Sequence, residues 1–269
     1  MDKLLVEKTD ENSSRVQIKD VVIGGKKKVI ISGPCAVEDY DIMLSIGKKL
    51  KSLGVDIIRG GAFKPRTSPY SFQGLKDEGL KILKKVGKEI GLPVVSEIMD
   101  TRDVEKAVDY IDMIQIGSRN MYNYSLLKEV GKTKTPILLK RGMSSTIEEW
   151  LYAAEYIMAE GNYNVVLCER GIRTFENYTR NTLDLNAVAV IKEKYKLPII
   201  VDPSHGTGIR ELVPRMSMAA IAAGADGLEI ESHIVPNEAM SDSSQTISME
   251  TLKNIIENVK KINIDFSLV

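Results

Sequence analysis

A thiol, an imidazole, carboxylates and many cations stand where eight short apolar runs end. They are Cys35, Arg59 with Lys64 and Arg66, Glu97, Arg119, Lys140, Arg170, His205 and Glu231. Each run finishes in, or passes straight into, a reactive or charged side chain, where Ser, Asn or Gly would serve a wall that carries no site. The set divides in two. Arg59, Lys64, Arg66, Arg119, Lys140 and Arg170 are cations. Guanidinium forks match phosphate and carboxylate oxygens in pairs, and lysine adds a compact charge. Any one of them alone would serve equally well in a surface ion pair. Converging together, they exceed the need of one phosphate and imply two phosphorylated groups, or one phosphate and a carboxylate. The other half, Cys35, His205, Glu231 and Asp242, offers donors that suit a divalent first-row metal, although no local metal-binding spacing ties them together. A lone cysteine is more often a small buried residue. His205 lies in Asp-Pro-Ser-His-Gly, read as a turn at a strand end, where a purely packing role is the poorer reading. His233 is read as structural or supporting. Cys168, two residues before Arg170, is read as core packing one layer deeper.

Residues so distant in sequence meet only if the runs are strands of one sheet. The runs cover 28–35, 56–63, 93–99, 113–118, 136–141, 165–170, 198–205 and 227–232. Amphipathic stretches follow them at 41–53, 75–90, 103–109, 123–130, 146–159, 182–194, 214–223 and 248–261. Gly54 and Gly224 stand where helices end, and Pro93, Pro136 and Pro198 open strands after helices. The runs are nearly all apolar, as in strands covered by helices on their outer face and packed on the inner one. Eight such units predict an α/β fold, the (β/α)8 barrel, whose catalytic groups gather at the C-terminal strand ends. A doubly wound sheet is the competitor, but no Gly-x-Gly-x-x-Gly turn follows the first strand. Closure of the barrel brings the eighth strand beside the first, and with it Glu231 and Asp242 toward Cys35. Residues 1–27 read as an N-terminal extension with a short hairpin broken at Gly24-Gly25, and 28–269 as the catalytic barrel.

Composition narrows the function. The chain has 269 residues, with 37 basic and 37 acidic side chains and no formal net charge. That balance removes the usual electrostatic case for nucleic acid or a membrane surface as partner. Two cysteines form no disulfide framework, which predicts a reducing, cytoplasmic setting. The polar N-terminus has no apolar segment of a signal peptide, and no run is long enough to span a bilayer.

The segments GPCAVED, IIRGGAFKPRTSPYSFQG, IQIGSRNMYN, LLKRGMSSTIEEW, LCERGIRTFENYTRNTLD, VDPSHGTG and IESHIVPNEAMSDSSQ occur in this order from about residue 28 to the C-terminus. They resemble the 3-deoxy-D-arabino-heptulosonate-7-phosphate (DAHP) synthases of type I beta. The resemblance implies an aldol-type condensation of phosphoenolpyruvate with erythrose 4-phosphate and water, the first step of the shikimate pathway to aromatic amino acids. It implies a divalent cofactor (Mn, Fe, Co or Zn) on Cys35, His205, Glu231 and Asp242. It implies phosphoenolpyruvate contacts at Arg59, Lys64, Ser118, Arg119, Lys140 and Arg170, with Gln115 and Asp202 as further substrate contacts. Pro65, Arg66, Thr67 and Ser68 fall on the aldose-phosphate contacts. Cys35 and His205 join Lys64 and Glu97 as catalytic residues. Lys64 is the expected proton donor, while the attacking water is left between Glu97 and the metal. Relatives form dimers or tetramers, so a homo-oligomer is expected. Many carry a regulatory domain, and the short N-terminal segment here sets the expectation of none, hence of no feedback inhibition through one.

The chain departs from the family where Glu231-Ser-His-Ile replaces Glu-Val-His-Pro and Ser241-Asp242-Ser243 replaces Ser-Asp-Gly. Both changes lie around the expected ligands and the loop before Gln245. The nearest rival is 3-deoxy-manno-octulosonate-8-phosphate synthase, which uses arabinose 5-phosphate and has Lys-Ala-Asn-Arg-Ser-Ser where Lys64-Pro-Arg-Thr-Ser stands here. A Schiff-base aldolase on Lys140 and a non-enzymatic phosphometabolite-binding barrel are the remaining rivals.

Overall fold

The computed structural model describes residues 4–8, 14–66, 68–262 and 264. Thr67, an expected sugar-phosphate contact, lies outside the described residues. Two short strands, β1 (Val16–Ile18) and β2 (Val21–Ile23), precede the barrel. Its first half is β3 (Val29–Gly33), α1 (Tyr40–Leu53), β4 (Ile57–Arg59), α2 (Asp77–Ile90), β5 (Val94–Glu97), α3 (Val104–Ala107), β6 (Met113–Ile116) and α4 (Tyr124–Gly131). The second half is β7 (Ile137–Lys140), α5 (Ile147–Met158), β8 (Val165–Glu169), α6 (Leu185–Lys194), β9 (Ile199–Val201), α7 (Pro203–Thr207), α8 (Val213–Ala222) and β10 (Gly227–His233). A two-residue strand, β11 (Ile247–Ser248), and α9 (Met249–Val259) follow.

From β3 to β10 each strand pairs with the next in parallel, and β10 also pairs with β3, Glu231 opposite Gly33. The sheet is therefore a closed (β/α)8 barrel. Local chemistry sets the helix ends. Asp39 caps α1 by accepting the Ile42 N–H at 2.9 Å, and Gly54 ends it in the left-handed region at φ 84°. Thr146 and Glu149 form a reciprocal capping box on α5.

The period-two alternation of the strands positions the site. Ile31, Ile57, Val95, Met113, Leu138, Val166, Cys168 and Ile200 form an apolar cluster inside the barrel. The intervening residues, such as Ile30, Ile58, Ile114 and Leu139, pack outward against the helices. Two residues beyond the inner cluster, the same face of the wall carries Arg59, Glu97, Gln115, Lys140, Arg170 and Asp202. The wall thus turns from apolar to charged within one step of the pleat.

Two expectations need correction. Ile18 pairs with Val21, so the hairpin turns at Lys19-Asp20 and not at Gly24-Gly25. Lys19 itself takes the left-handed conformation, φ 51°. Gly24, at φ 90°, threads past Ser14, whose carbonyl oxygen a Cβ would approach to 2.6 Å. The hairpin turns Val16, Ile18 and Ile23 into the barrel's inner cluster and so closes its floor. The run at 198–205 is a strand only over Ile199–Val201. Asp202 accepts the His205 N–H at 2.9 Å, and Pro203 opens α7, where its missing N–H is no loss. His205 therefore stands on a helical turn.

Candidate active site

At the C-terminal ends of the strands lies a cavity of about 380 Å³. Arg59, Lys64, Arg66, Arg119, Lys140 and Arg170 all line it, with Pro65, Ser68, Glu97, Gln115, Ser118, His205 and Asp242. The six cations therefore share one space with His205 and Asp242 of the donor set, whereas Cys35 and Glu231 are buried and do not line it. Asp202 is placed differently. It lies fully buried behind the lining, where its carboxylate holds Lys140 and His205 Nδ1, the latter at 2.7 Å.

Cys35, His205, Glu231 and Asp242 each offer a ligand atom, and these atoms lie within 4.8 Å of one another. Cys35 Sγ is 3.1 Å from Asp242 Oδ2. With Nδ1 engaged by Asp202, His205 turns Nε2 to Glu231 Oε1 at 3.4 Å and Asp242 Oδ2 at 3.9 Å. A carboxylate on the far nitrogen is the usual support of a ligating imidazole. Gln245 donates to Glu231 Oε2 at 2.6 Å, while buried Glu231 Oε1 has no hydrogen-bond partner among the described residues. A buried carboxylate oxygen that makes no hydrogen bond, only a 3.3 Å contact with Arg59, and that is grouped with a thiol and an imidazole fits a divalent metal, which all four groups would ligate. Asp242 takes φ 54° itself. Aspartate is among the few side chains that tolerate this region, so the loop makes its bend one residue before the position where the family has glycine.

Electrostatics follow the geometry. Burial, reinforced by Glu231, pushes the Cys35 thiol up to about 12. Lys64 Nζ lies 2.8 Å from this sulfur and also donates to the Cys35 carbonyl. Burial alone would raise the Glu231 carboxyl, yet His205 and Arg59 hold it below its usual range. Asp242 likewise resists burial and is drawn to about 2 by His205 and the Cys35 hydrogen bond. Glu97 is raised by burial, which the surrounding cations offset only in part.

The cations are not equally free. Arg59 contacts Glu229 and Glu231 at 3.1 and 3.3 Å, and Lys140 contacts Glu229 at 2.8 Å as well as Asp202. Arg66 donates to Ser241 and to the Phe72 carbonyl. Arg170 is 4% exposed, and among the described residues no carboxylate lies within 4.0 Å of its guanidinium.

Sequence reasoning missed Glu229 and Arg180. Glu229 stands two residues before Glu231, so the strand period alone assigns it the same inward face. Arg180 lines the cavity and reaches Asp242 and Gln245 at 3.4 and 3.0 Å from a loop with no periodic signal. His233 instead accepts the Val235 N–H and faces Glu38 at 3.5 Å, outside the donor set. Cys168 is buried in the inner apolar cluster.

Gly117 gives access to Glu97, because a Cβ there would sit 1.9 Å from Glu97 Oε1. Its φ of −71° suits any residue, so Gly117→Ala acts only by displacing that carboxylate. We expect kcat to fall by about tenfold to a hundredfold with the melting temperature little changed, the scale of an ångström's misplacement. Steady-state kinetics beside thermal melts checks this, and an unchanged kcat removes Glu97 from the reaction.

Comparisons with known proteins bear on the family and the fold. A profile described as the DAHP synthetase I family matches residues 7–265. The chain is 46% identical over 260 residues to a phospho-2-dehydro-3-deoxyheptonate aldolase of Thermotoga maritima, covering 97% of this chain and 77% of that protein. It is 30% identical to a 2-dehydro-3-deoxyphosphooctonate aldolase of Syntrophotalea carbinolica, covering 92% of this chain and 95% of that protein. The crystal structure of the Thermotoga maritima DAHP synthase matches with a TM-score of 0.93 over 97% of this chain and 76% of that one, at 46% identity. A truncated form of the 3-deoxy-D-arabino-heptulosonate 7-phosphate synthase from the same organism matches at 0.89 and 43% identity, covering 96% and 95%. By its profile, its relatives and its barrel, the chain belongs to the DAHP synthetase I family.

Proposed function

We propose that the chain condenses phosphoenolpyruvate with erythrose 4-phosphate and water, giving 3-deoxy-D-arabino-heptulosonate 7-phosphate and phosphate. The observation that carries this reading is one cavity lined both by buried Arg170, with no acid partner among the described residues, and by His205 and Asp242 of the four-donor cluster. The first asks for an anion and the second for a cation.

Arg59, Arg119, Lys140 and Arg170 hold the phosphate and carboxylate of phosphoenolpyruvate. Arg66 and Ser68 orient the aldose phosphate, with Thr67 assigned beside them from the family motif. Holding both reactants removes association entropy from the reacting step, up to roughly 7–11 kcal/mol for ideal alignment. Cys35, His205, Glu231 and Asp242 would hold a divalent ion (Mn, Fe, Co or Zn), which would supply Lewis acidity toward the aldehyde oxygen. C3 of the enol phosphate attacks the aldehyde carbon, and Lys64 Nζ delivers a proton to the oxygen. Water then adds at C2 and Glu97 takes its proton; the hemiketal phosphate so formed collapses to the C2 ketone, its hydroxyl proton passing to the phosphate that leaves by C–O cleavage. Gln115 and Ser118 complete the contacts, and Asp202 keeps His205 and Lys140 in place.

The division into residues 1–27 and a barrel over 28–269 belongs to this reading, as do cytoplasmic location and a homodimer or homotetramer. The location rests on the cysteine count, and the oligomer on the family alone. Phosphate release measured with erythrose 4-phosphate and with arabinose 5-phosphate, before and after chelation, tests the proposal. We expect a preference for the four-carbon sugar and loss of turnover on chelation, restored by added divalent metal. A preference for the five-carbon sugar would transfer the chain to the octulosonate activity.

A further inference from the structure

Glu229 has no role in the reaction as derived, yet it lies at the base of the cavity's charge network. It stands on β10 with no exposed surface. One carboxylate oxygen is 3.1 Å from Arg59 Nη1 and the other 2.8 Å from Lys140 Nζ. Arg59 also reaches Glu231, Lys140 also reaches Asp202, and Asp202 and Glu231 both face His205. The contacts close a ring through His205, Glu231, Arg59, Glu229, Lys140 and Asp202, with Glu229 opposite the histidine. Just beneath it the wall is apolar, with Cys168 Sγ 3.7 Å from Glu229 Oε2. A buried carboxylate at such a place is costly, and a hydrophobic side chain of similar volume is often neutral or better for stability. Its effect is on charge. Arg59 and Lys140 line the cavity, whereas Glu229 does not. An anion arriving from the open side meets the cations first and feels the carboxylate behind them as a weaker, opposing field.

We propose that Glu229 is the standing counter-anion of the phosphoenolpyruvate subsite, a positioning residue that fixes Arg59 and Lys140 and offsets part of their attraction for phosphate. The inference rests on the placement of phosphoenolpyruvate against those two cations. Its function is to keep substrate and product phosphate exchangeable: two cations without it would grip phosphate harder than turnover needs.

Glu229→Gln tests this, because glutamine keeps the shape and removes one negative charge. Neither cation loses its last acid, since Glu231 and Asp202 remain, so the fold is expected to hold. With the manganese-loaded enzyme in a calorimeter, the Kd for phosphoenolpyruvate and for inorganic phosphate is expected to fall by about fivefold or more. A scaffold role alone would not tighten binding, so unchanged or weaker binding overturns the proposal. Glu229→Met is expected to give the same sign and serves if the glutamine variant fails to fold. Arg170→Ala, measured alongside, separates the two readings. If it leaves phosphate binding untouched, the subsite itself is misplaced. If it weakens binding while both Glu229 variants fail to tighten it, only the present inference is lost.

Discussion

Cys35→Ser is expected to lower kcat by about three orders of magnitude, the several kcal/mol that a Lewis acid contributes. The reason lies in the environment of the sulfur. Burial and Glu231 push the free thiol up to about 12, so a divalent cation is what makes it a thiolate near neutral pH. A serine hydroxyl in the same place is a far weaker acid and stays protonated, leaving an imidazole and two carboxylates. Lys64 also loses its 2.8 Å contact with the sulfur, although its bond to the Cys35 carbonyl persists. Calorimetric titration with Mn(II) and Zn(II) is expected to show weakened binding of both, with the larger loss for zinc, the more thiophilic ion. Full turnover by wild-type protein after verified metal removal would dismiss the whole donor set.

Arg170→Ala carries the second large effect. The guanidinium follows β8 directly, is 4% exposed and donates only to the Gly171 carbonyl among the described residues. Burial draws its pKa down, which marks the charge as incompletely compensated. A bound phosphate or carboxylate supplies the missing anion, and losing such a buried charged contact costs about 2–5 kcal/mol. The KM for phosphoenolpyruvate should therefore rise by about a hundredfold or more, on that scale, while the KM for the aldose phosphate changes little. The same argument fixes the sign of a second measurement. Removing an uncompensated buried cation relieves a desolvation penalty, so the melting temperature should stay level or rise. A falling melting temperature with an unchanged KM would make Arg170 a structural residue.

Much of this was legible in the sequence because two periodicities carry it. The inward positions of β4, β5, β7 and β8 place Arg59, Glu97, Lys140 and Arg170 two residues beyond apolar ones, and simple counting recovers them. Closure placed Cys35 beside Glu231 without any local motif. What escaped lay where counting stops. Arg180 reaches the cavity from an irregular loop, and the helical turn of His205 depends on a cap by Asp202 that reads equally well as a strand end. The glycine pair drew the hairpin turn to itself, although the chain bends at Lys19. Glu229 is countable by the same period, but the cations do not disclose which acids stand behind them, so taken alone they overstate the net charge of the cavity.

Because β10 closes the ring against β3, the donor set proposed for an ion is assembled from distant parts of the chain: Cys35 early, its companions between residues 205 and 242. During synthesis the emerging polypeptide carries the cysteine while its companions are still unmade. No fragment short of the eighth strand can chelate in the finished manner. An ion that prefers the completed set acts as a latch across the seam, favouring the shut ring by mass action. Metal scarcity and incomplete maturation would then leave the same mark on the molecule, an unfastened wall between its first and last staves.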